Sequence, residues 1–444
     1  FQALLRATVG DSSKLATPIA FFVLTTVNAY FFFFGEFKIS DEKQWLMALI
    51  AGALMFAGAW IVWLRKPVLL FSSILVAISI YNYASGRISL ASVELAGSST
   101  TAAFQSKPNF YAISFESLLS PYALKHLYDA SDMDHFDALR ERGFRVLDGA
   151  YSAGSATIAS LSQVLEYEEN LQTSEQMRAV FGSKNTTYRI FKENGYKVNF
   201  MYASNYLGAN RGGADYFFPE KSFSTCHFLS DSYLYFACHK DFANWVNQRL
   251  FGESSYISVD QHLALIKDRV DAIVDSDDPG FIFTHINFPG HTRLDHDYRD
   301  TKAISGFADQ TRNWIPQIKN YFEDVFDHII ESDPNAVILV YGDHGAWISR
   351  GMTSSVADEA DSPFSLGDML LDRHGVAMAI YPNNFCEERI REGTSTLLLM
   401  RSIFACLSGE TEMTRAEHEV QQQIFFEGKR RDLHDLLRPS KGLP

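Results

Sequence analysis

The chain has 444 residues, of which 47% are hydrophobic and 14% aromatic, and its formal net charge is −14 from 39 Lys plus Arg against 53 Asp plus Glu. No basic stripe is available to neutralise a phosphate backbone, so a nucleic-acid partner is excluded. The first fifth is far more apolar than the remainder, and the chain opens at Phe1 rather than Met, as a truncated or processed product would.

Three early runs, residues 17–34, 45–64 and 67–84, each suit a bilayer crossing, which takes roughly 17–25 apolar residues as helix. Phe31 to Phe34 and Trp60 to Leu64 leave no polar face for a soluble helix. Residues 1–84 therefore predict a transmembrane domain. Arg6, Lys14 and the Arg65-Lys66 pair put the N-terminus and the second turn in the cytoplasm, so that the chain emerges outside after the third span. Residues 85–107, small and polar, predict a linker, and 108–444 an extracytoplasmic domain. The four cysteines agree with export. Cys226 and Cys238 form one close couple and Cys386 and Cys406 another; local pairing within each couple is the simplest connectivity, and four buried thiols is the alternative.

Within the exported part, residues 109–115 predict a strand that ends at Glu116-Ser117, and a helix over 134–142 stops at Gly143. Small residues then lead through Ser155 to a helical pattern that begins near Thr157. A helix start offers unpaired N–H groups and a positive dipole end to an oxyanion, while a plain Ser/Thr cap is the simpler alternative. A helix over 185–194 and a strand over 197–202 follow, then a helix over 257–274 and a strand over 280–284 that ends in His285. The polar loop beyond it adds His291 and His296, which with His285 are candidates for substrate phosphate contacts. A long helix over 301–330 leads to an apolar strand over 337–341, which runs into Gly342-Asp343-His344-Gly345. A fifth strand over 375–381 and helices over 395–407 and 415–425 close the chain, with Lys429-Arg430-Arg431 read as a solvated helix face.

Alternating strands and helices imply an α/β domain whose mostly parallel sheet is covered by helices on both faces. Ligands bind such sheets beyond the carboxyl ends of the strands, where Glu116, His285 or His291, and Asp343-His344 are delivered. Glu116, Thr157, Asp343 and His344 form a mixed oxygen and nitrogen set suited to one divalent cation, Zn2+ or Mn2+. A cation there lowers the pKa of the Thr157 hydroxyl and makes it a nucleophile, with Ser155 in reserve.

These motifs resemble the membrane-anchored, sulfatase-like branch of the alkaline phosphatase superfamily, which contains lipoteichoic acid synthases and phosphoglycerol and phosphoethanolamine transferases. Ile113-Ser114-Phe115-Glu116-Ser117 is similar to the first metal-ligand motif of that branch, Thr157-Ile158-Ala159-Ser160 to its nucleophile motif, Gly342-Asp343-His344-Gly345 to its ligand pair, and Pro289-Gly290-His291 to its phosphate-histidine loop. The resemblance spans residues 107–385. It implies that Thr157 attacks a phospholipid head-group phosphate, releases diacylglycerol, and passes the phospho-alcohol to an envelope glycan or lipid at a bacterial inner membrane. Paired cysteines are common in the exported domains of the phosphoethanolamine branch, which points to that head group. Three departures stand out: Ala346-Trp347 replaces a frequent Glu, the His291 loop lacks the usual Ser-His-Gly-Pro run, and the region just after Gly345 has no His before His374, which argues against a second metal. Rival expectations are a sulfatase, for which the Cys/Ser-x-Pro-x-Arg context is missing around Thr157, a phosphodiesterase with water as acceptor, and a non-catalytic lipid-sensing or scaffold relative.

Overall fold

The structure, a computed structural model, describes residues 102–128, 134–166, 174–182, 185–203, 207, 213–218, 257–290, 302–348, 365–412, 423–426 and 429–432. They all belong to one compact unit, formed by residues 93–222 and 256–444. The three expected spans, most of the linker, His291, His296, Cys226 and Cys238 lie outside the described residues. Among the described residues no helix is long and apolar enough to cross a membrane.

The strands are β1 (Phe110–Glu116), β2 (Arg145–Tyr151), β3 (Lys197–Tyr202), β4 (Tyr216–Phe218), β5 (Gly280–Pro289), β6 (Val337–Gly342) and β7 (Gly375–Tyr381). They form a seven-stranded sheet in the order β2-β7-β6-β1-β5-β3-β4. β6, β1, β5, β3 and β4 are parallel, whereas β7 runs antiparallel to both β6 and β2. β1 is buried along its whole length, as a central strand covered on both faces must be, and this explains its mostly apolar sequence. β2 lies at the sheet edge and is only partly buried; its Arg, Asp and Gly residues conceal it as a strand in the sequence.

The helices are α1 (Pro121–Tyr128), α2 (Asp134–Glu141), α3 (Thr157–Glu166), α4 (Ser174–Ala179), α5 (Thr186–Glu193), α6 (Val259–Val274), α7 (Lys302–Ser332), α8 (Leu366–His374) and α9 (Leu399–Leu407). Two cores flank the sheet. On one face Tyr111, Ile113 and Phe115 of β1 meet Leu124 of α1, Phe136 of α2, Ile266 of α6, Phe322 of α7 and Leu371 of α8. On the other, Phe110 and Ala112 meet Leu161 of α3, Phe191 of α5 and Phe404 of α9. The alternation follows from the two-residue period of a strand, and each large apolar side chain so buried contributes roughly 1.5–3 kcal/mol.

Two features depart from the sequence reading. β5 does not end before His285 but continues to Pro289, because Ile286 is buried and pairs with Phe115. Gln423–Phe426 is a strand (β8), paired antiparallel with Lys429–Asp432 (β9), where the end of a helix and a basic helix face were expected. The strand preference of Ile424, Phe425 and Phe426 outweighs the helical spacing there. Cys386 and Cys406 form a disulfide that closes a 20-residue separation.

Candidate active site

The three central strands β6, β1 and β5 stand side by side, so their carboxyl ends bring Asp343-His344, Glu116 and the His285 region to one edge. β1 ends in a sharp turn at Ser117, whose φ of 58° is uncommon for a residue with a side chain. That turn aims the Ser117 N–H at Asp343 Oδ1, 2.9 Å away, while Asp343 N–H donates to the Phe115 carbonyl at 3.0 Å. His344 N–H donates to the same Oδ1 at 2.7 Å. One carboxylate oxygen of Asp343 is thus fixed by two backbone donors. The other, Oδ2, is buried with no hydrogen-bond partner among the described residues.

The glycines around this pair are packed against neighbouring backbone. A Cβ on Gly342 would collide with the Leu118 carbonyl, and one on Gly345 with the Asp372 carbonyl. Close approach of neighbouring backbone is what requires glycine at both positions.

Thr157 is the first residue of α3. The loop before it turns tightly: Ser152 Oγ–H donates to the Gly154 carbonyl at 2.8 Å, and a Cβ on Gly154 would come within 2.7 Å of the Ser160 amide nitrogen. Thr157 Oγ1 thereby lies 3.4 and 3.5 Å from the two oxygens of Glu116 and 3.2 Å from His344 Nε2. His344 Nε2 lies 3.3 Å from Glu116 Oε1 and 3.4 Å from Asp343 Oδ2. A tetrahedron with ligand distances of about 2.0–2.1 Å has edges of about 3.3–3.4 Å. Taking Glu116 by Oε1, four of the six edges joining Glu116 Oε1, Thr157 Oγ1, His344 Nε2 and Asp343 Oδ2 are 3.2–3.4 Å, so the residues present fit a tetrahedrally held cation. The ring orientation agrees: His344 Nδ1–H donates to the Gly345 carbonyl at 2.7 Å, which leaves Nε2 facing the cluster as an acceptor.

Charge points the same way. Burial raises the pKa of Asp343, Glu116 raises it further, and the two histidines oppose the rise. Burial depresses the His344 imidazole, but Asp343 and Glu116 outweigh it and push it up to about 9. Two buried carboxylates thus hold a proton on the imidazole, a place that a divalent cation would take over more completely.

His285, expected at the substrate, lies behind Glu116. Its Nε2 is 2.9 Å from Glu116 Oε2 and its Nδ1 is 2.8 Å from Ser114 Oγ. Glu116, His285 and Asp343 form a second grouping, with donor atoms within 4.8 Å of one another. Its His285–Asp343 separation of 4.0 Å is longer than a tetrahedral edge, whereas His285 Nε2 sits within hydrogen-bond distance of Glu116 Oε2. Ser155 is half-buried two residues before Thr157. Ser114, which supports His285 from mid-strand, was not singled out in the sequence; its one signal is a polar residue inside an apolar run.

No protein-family model matches the chain, and no curated protein does. Solved structures similar to it are periplasmic domains of phosphoethanolamine transferases and a member of the alkaline phosphatase superfamily. The C-terminal periplasmic domain of EcEptC from Escherichia coli, in complex with Zn, shares 10% identity over 75% of this chain and 96% of that one, with a TM-score of 0.45. The alkaline phosphatase superfamily protein from Vibrio parahaemolyticus shares 14% over 78% and 81%, with a TM-score of 0.43. The integral membrane lipooligosaccharide phosphoethanolamine transferase A from Neisseria meningitidis shares 12% over 85% and 68%, with a TM-score of 0.39.

Proposed function

We propose that the chain is a metal-dependent phospho-alcohol transferase that moves a phosphoethanolamine or phosphoglycerol head group from a membrane phospholipid to an envelope glycan or lipid. The observation that carries this reading is a helix-terminal hydroxyl, Thr157 Oγ1, set 3.2–3.5 Å from Glu116 and His344. Glu116, Thr157, Asp343 and His344 would hold the cation, Zn2+ or Mn2+. When bound, it supplies a lowered hydroxyl pKa and compensation of phosphate charge.

The residues do the rest. Thr157 Oγ1 forms the new bond to phosphorus as the bond to diacylglycerol breaks, and the diacylglycerol oxygen leaves with a proton. The α3 N-terminus directs N–H groups and its dipole at the phosphate oxygens. An acceptor hydroxyl then takes the phosphorus, the Thr157 Oγ1 bond breaks, and its proton returns. Burial of Thr157, Glu116, Asp343 and His344 limits water at the reacting hydroxyl. On this reading residues 1–84 anchor the domain at a bacterial inner membrane with residues 108–444 outside, beside the lipid donor.

The test is diacylglycerol release from labelled phosphatidylethanolamine and phosphatidylglycerol by the detergent-purified chain, with Thr157→Ala, Asp343→Ala and a chelator alongside. Release from one lipid that all three treatments abolish supports the reading and identifies the donor. Absence of release from both lipids, with Zn2+ or Mn2+ supplied, sinks it and favours a non-catalytic lipid-binding relative.

A further inference from the structure

Every helix leaves its last carbonyls without intrahelical partners. At the end of α8 those carbonyls are taken by two loops that come from distant parts of the chain. Gly345 N–H donates to the Arg373 carbonyl and Ala346 N–H to the Asp372 carbonyl, each at 2.8 Å, while Ser152 N–H donates to the His374 carbonyl at 2.7 Å. The first two belong to the Asp343-His344 loop and the third to the loop that precedes Thr157.

Side chains repeat the pattern. The Asp372 carboxylate accepts from Ile348 N–H at 3.2 Å and from the Tyr128 hydroxyl at the end of α1. His374 Nδ1–H donates to the Ser152 carbonyl at 2.9 Å. Asp372 and His374 are completely buried, at 1% and 0% exposure, and the side chains of neither touch the reacting hydroxyl. Three consecutive residues therefore tie the ligand loop to the nucleophile loop, and Tyr128 anchors the tie from a fourth element.

We infer that Asp372, His374 and Tyr128 are positioning residues, and that the α8 terminus acts as one brace setting the distance between Thr157 and Asp343-His344. Its catalytic consequence rests on the transferase reading, but the brace itself does not. Hydrogen-bonded supports behind a metal site are commonly worth about 10–100-fold in metal affinity or activity.

The test combines amide hydrogen exchange with turnover on the full chain in detergent, using Tyr128→Phe, His374→Leu and His374→Asn. The Asn Nδ2 can stand where the imidazole Nδ1 stood and donate to the Ser152 carbonyl. Exchange at Ile113 in β1 reports global loosening. The brace predicts that Tyr128→Phe speeds exchange at Gly345, Ala346 and Ile348, and also at Ser152, which Tyr128 does not touch, with Ile113 unchanged. His374→Leu speeds both loops, and His374→Asn restores part of the protection at Ser152. Turnover falls about 10–100-fold in His374→Leu with KM nearly constant, and His374→Asn recovers part of it. Exchange at Ser152 unaffected by Tyr128→Phe would overturn the brace, as would equal damage in His374→Asn and His374→Leu. If the wild-type chain releases no diacylglycerol, the transferase reading fails alone and exchange still decides whether the two loops are coupled.

Discussion

Asp343 is held by one oxygen and offers the other. Burying a carboxylate costs several kcal/mol where it is not fully compensated, and Oδ2, which accepts no hydrogen bond among the described residues, is the point at which a cation would offset that cost. Asp343→Asn keeps the shape and removes the charge, so the purified variant is expected to retain metal at least about tenfold less well than wild type. Metal analysis after dialysis against a weak chelator measures this, and equal retention would remove Asp343 from the ligand set. The types of the candidate donors were readable in the sequence, because Glu116 and Asp343-His344 followed apolar runs and Thr157 opened a helical pattern. Their supports were less so. Ser114 and Asp372 act through hydrogen bonds that only tertiary structure creates, and the pairing of His285 with Glu116 depends on the register between β1 and β5.

At the level of elements, the tight fit of the ligand loop against α8 gives a sharp expectation. A Cβ at position 345 meets the Asp372 carbonyl, so Gly345→Ala forces the loop away from the helix end. Overpacking of this kind costs about 1–3 kcal/mol, read as a lower urea midpoint, and exchange at Ala346 should rise. A Gly345→Ala variant of unchanged stability would contradict the packing described. Strands buried on both faces were legible as mostly apolar runs, β1, β6 and β7 above all. β2 was not, since an edge strand carries polar residues on its open side, and β4 is only three residues long. The order of the strands in the sheet was also out of reach, because adjacency depends on which faces fit rather than on local pattern.

The whole molecule should be sensitive to acid through two core imidazoles. Burial depresses His135 and His262 from the ordinary value of 6.5 to about 3 each, with His285 adding to the shift of His262. The unfolded chain binds protons at these sites from about pH 6.5 downward, whereas the folded protein does so only near pH 3. Stability is therefore present in full above about pH 6.5 and is lost as pH falls toward about 3, by about 2 kcal/mol per group at pH 5. Urea midpoints at pH 7 and pH 5 measure the slope, and His135→Leu should reduce it; a slope unchanged by that substitution would mean that other groups carry the acid sensitivity.

β1 pairs through Phe110 with Phe281 on one side and with Val337 on the other. The middle strand of the sheet is therefore made first among the seven, yet both neighbours emerge from the ribosome long after it. Until then a seven-residue apolar segment, Phe110–Glu116, has exposed edges on both sides and nothing native to bind. Non-local pairing of this kind slows folding and leaves sticky intermediates, so the chain should depend on a holding chaperone during synthesis or export.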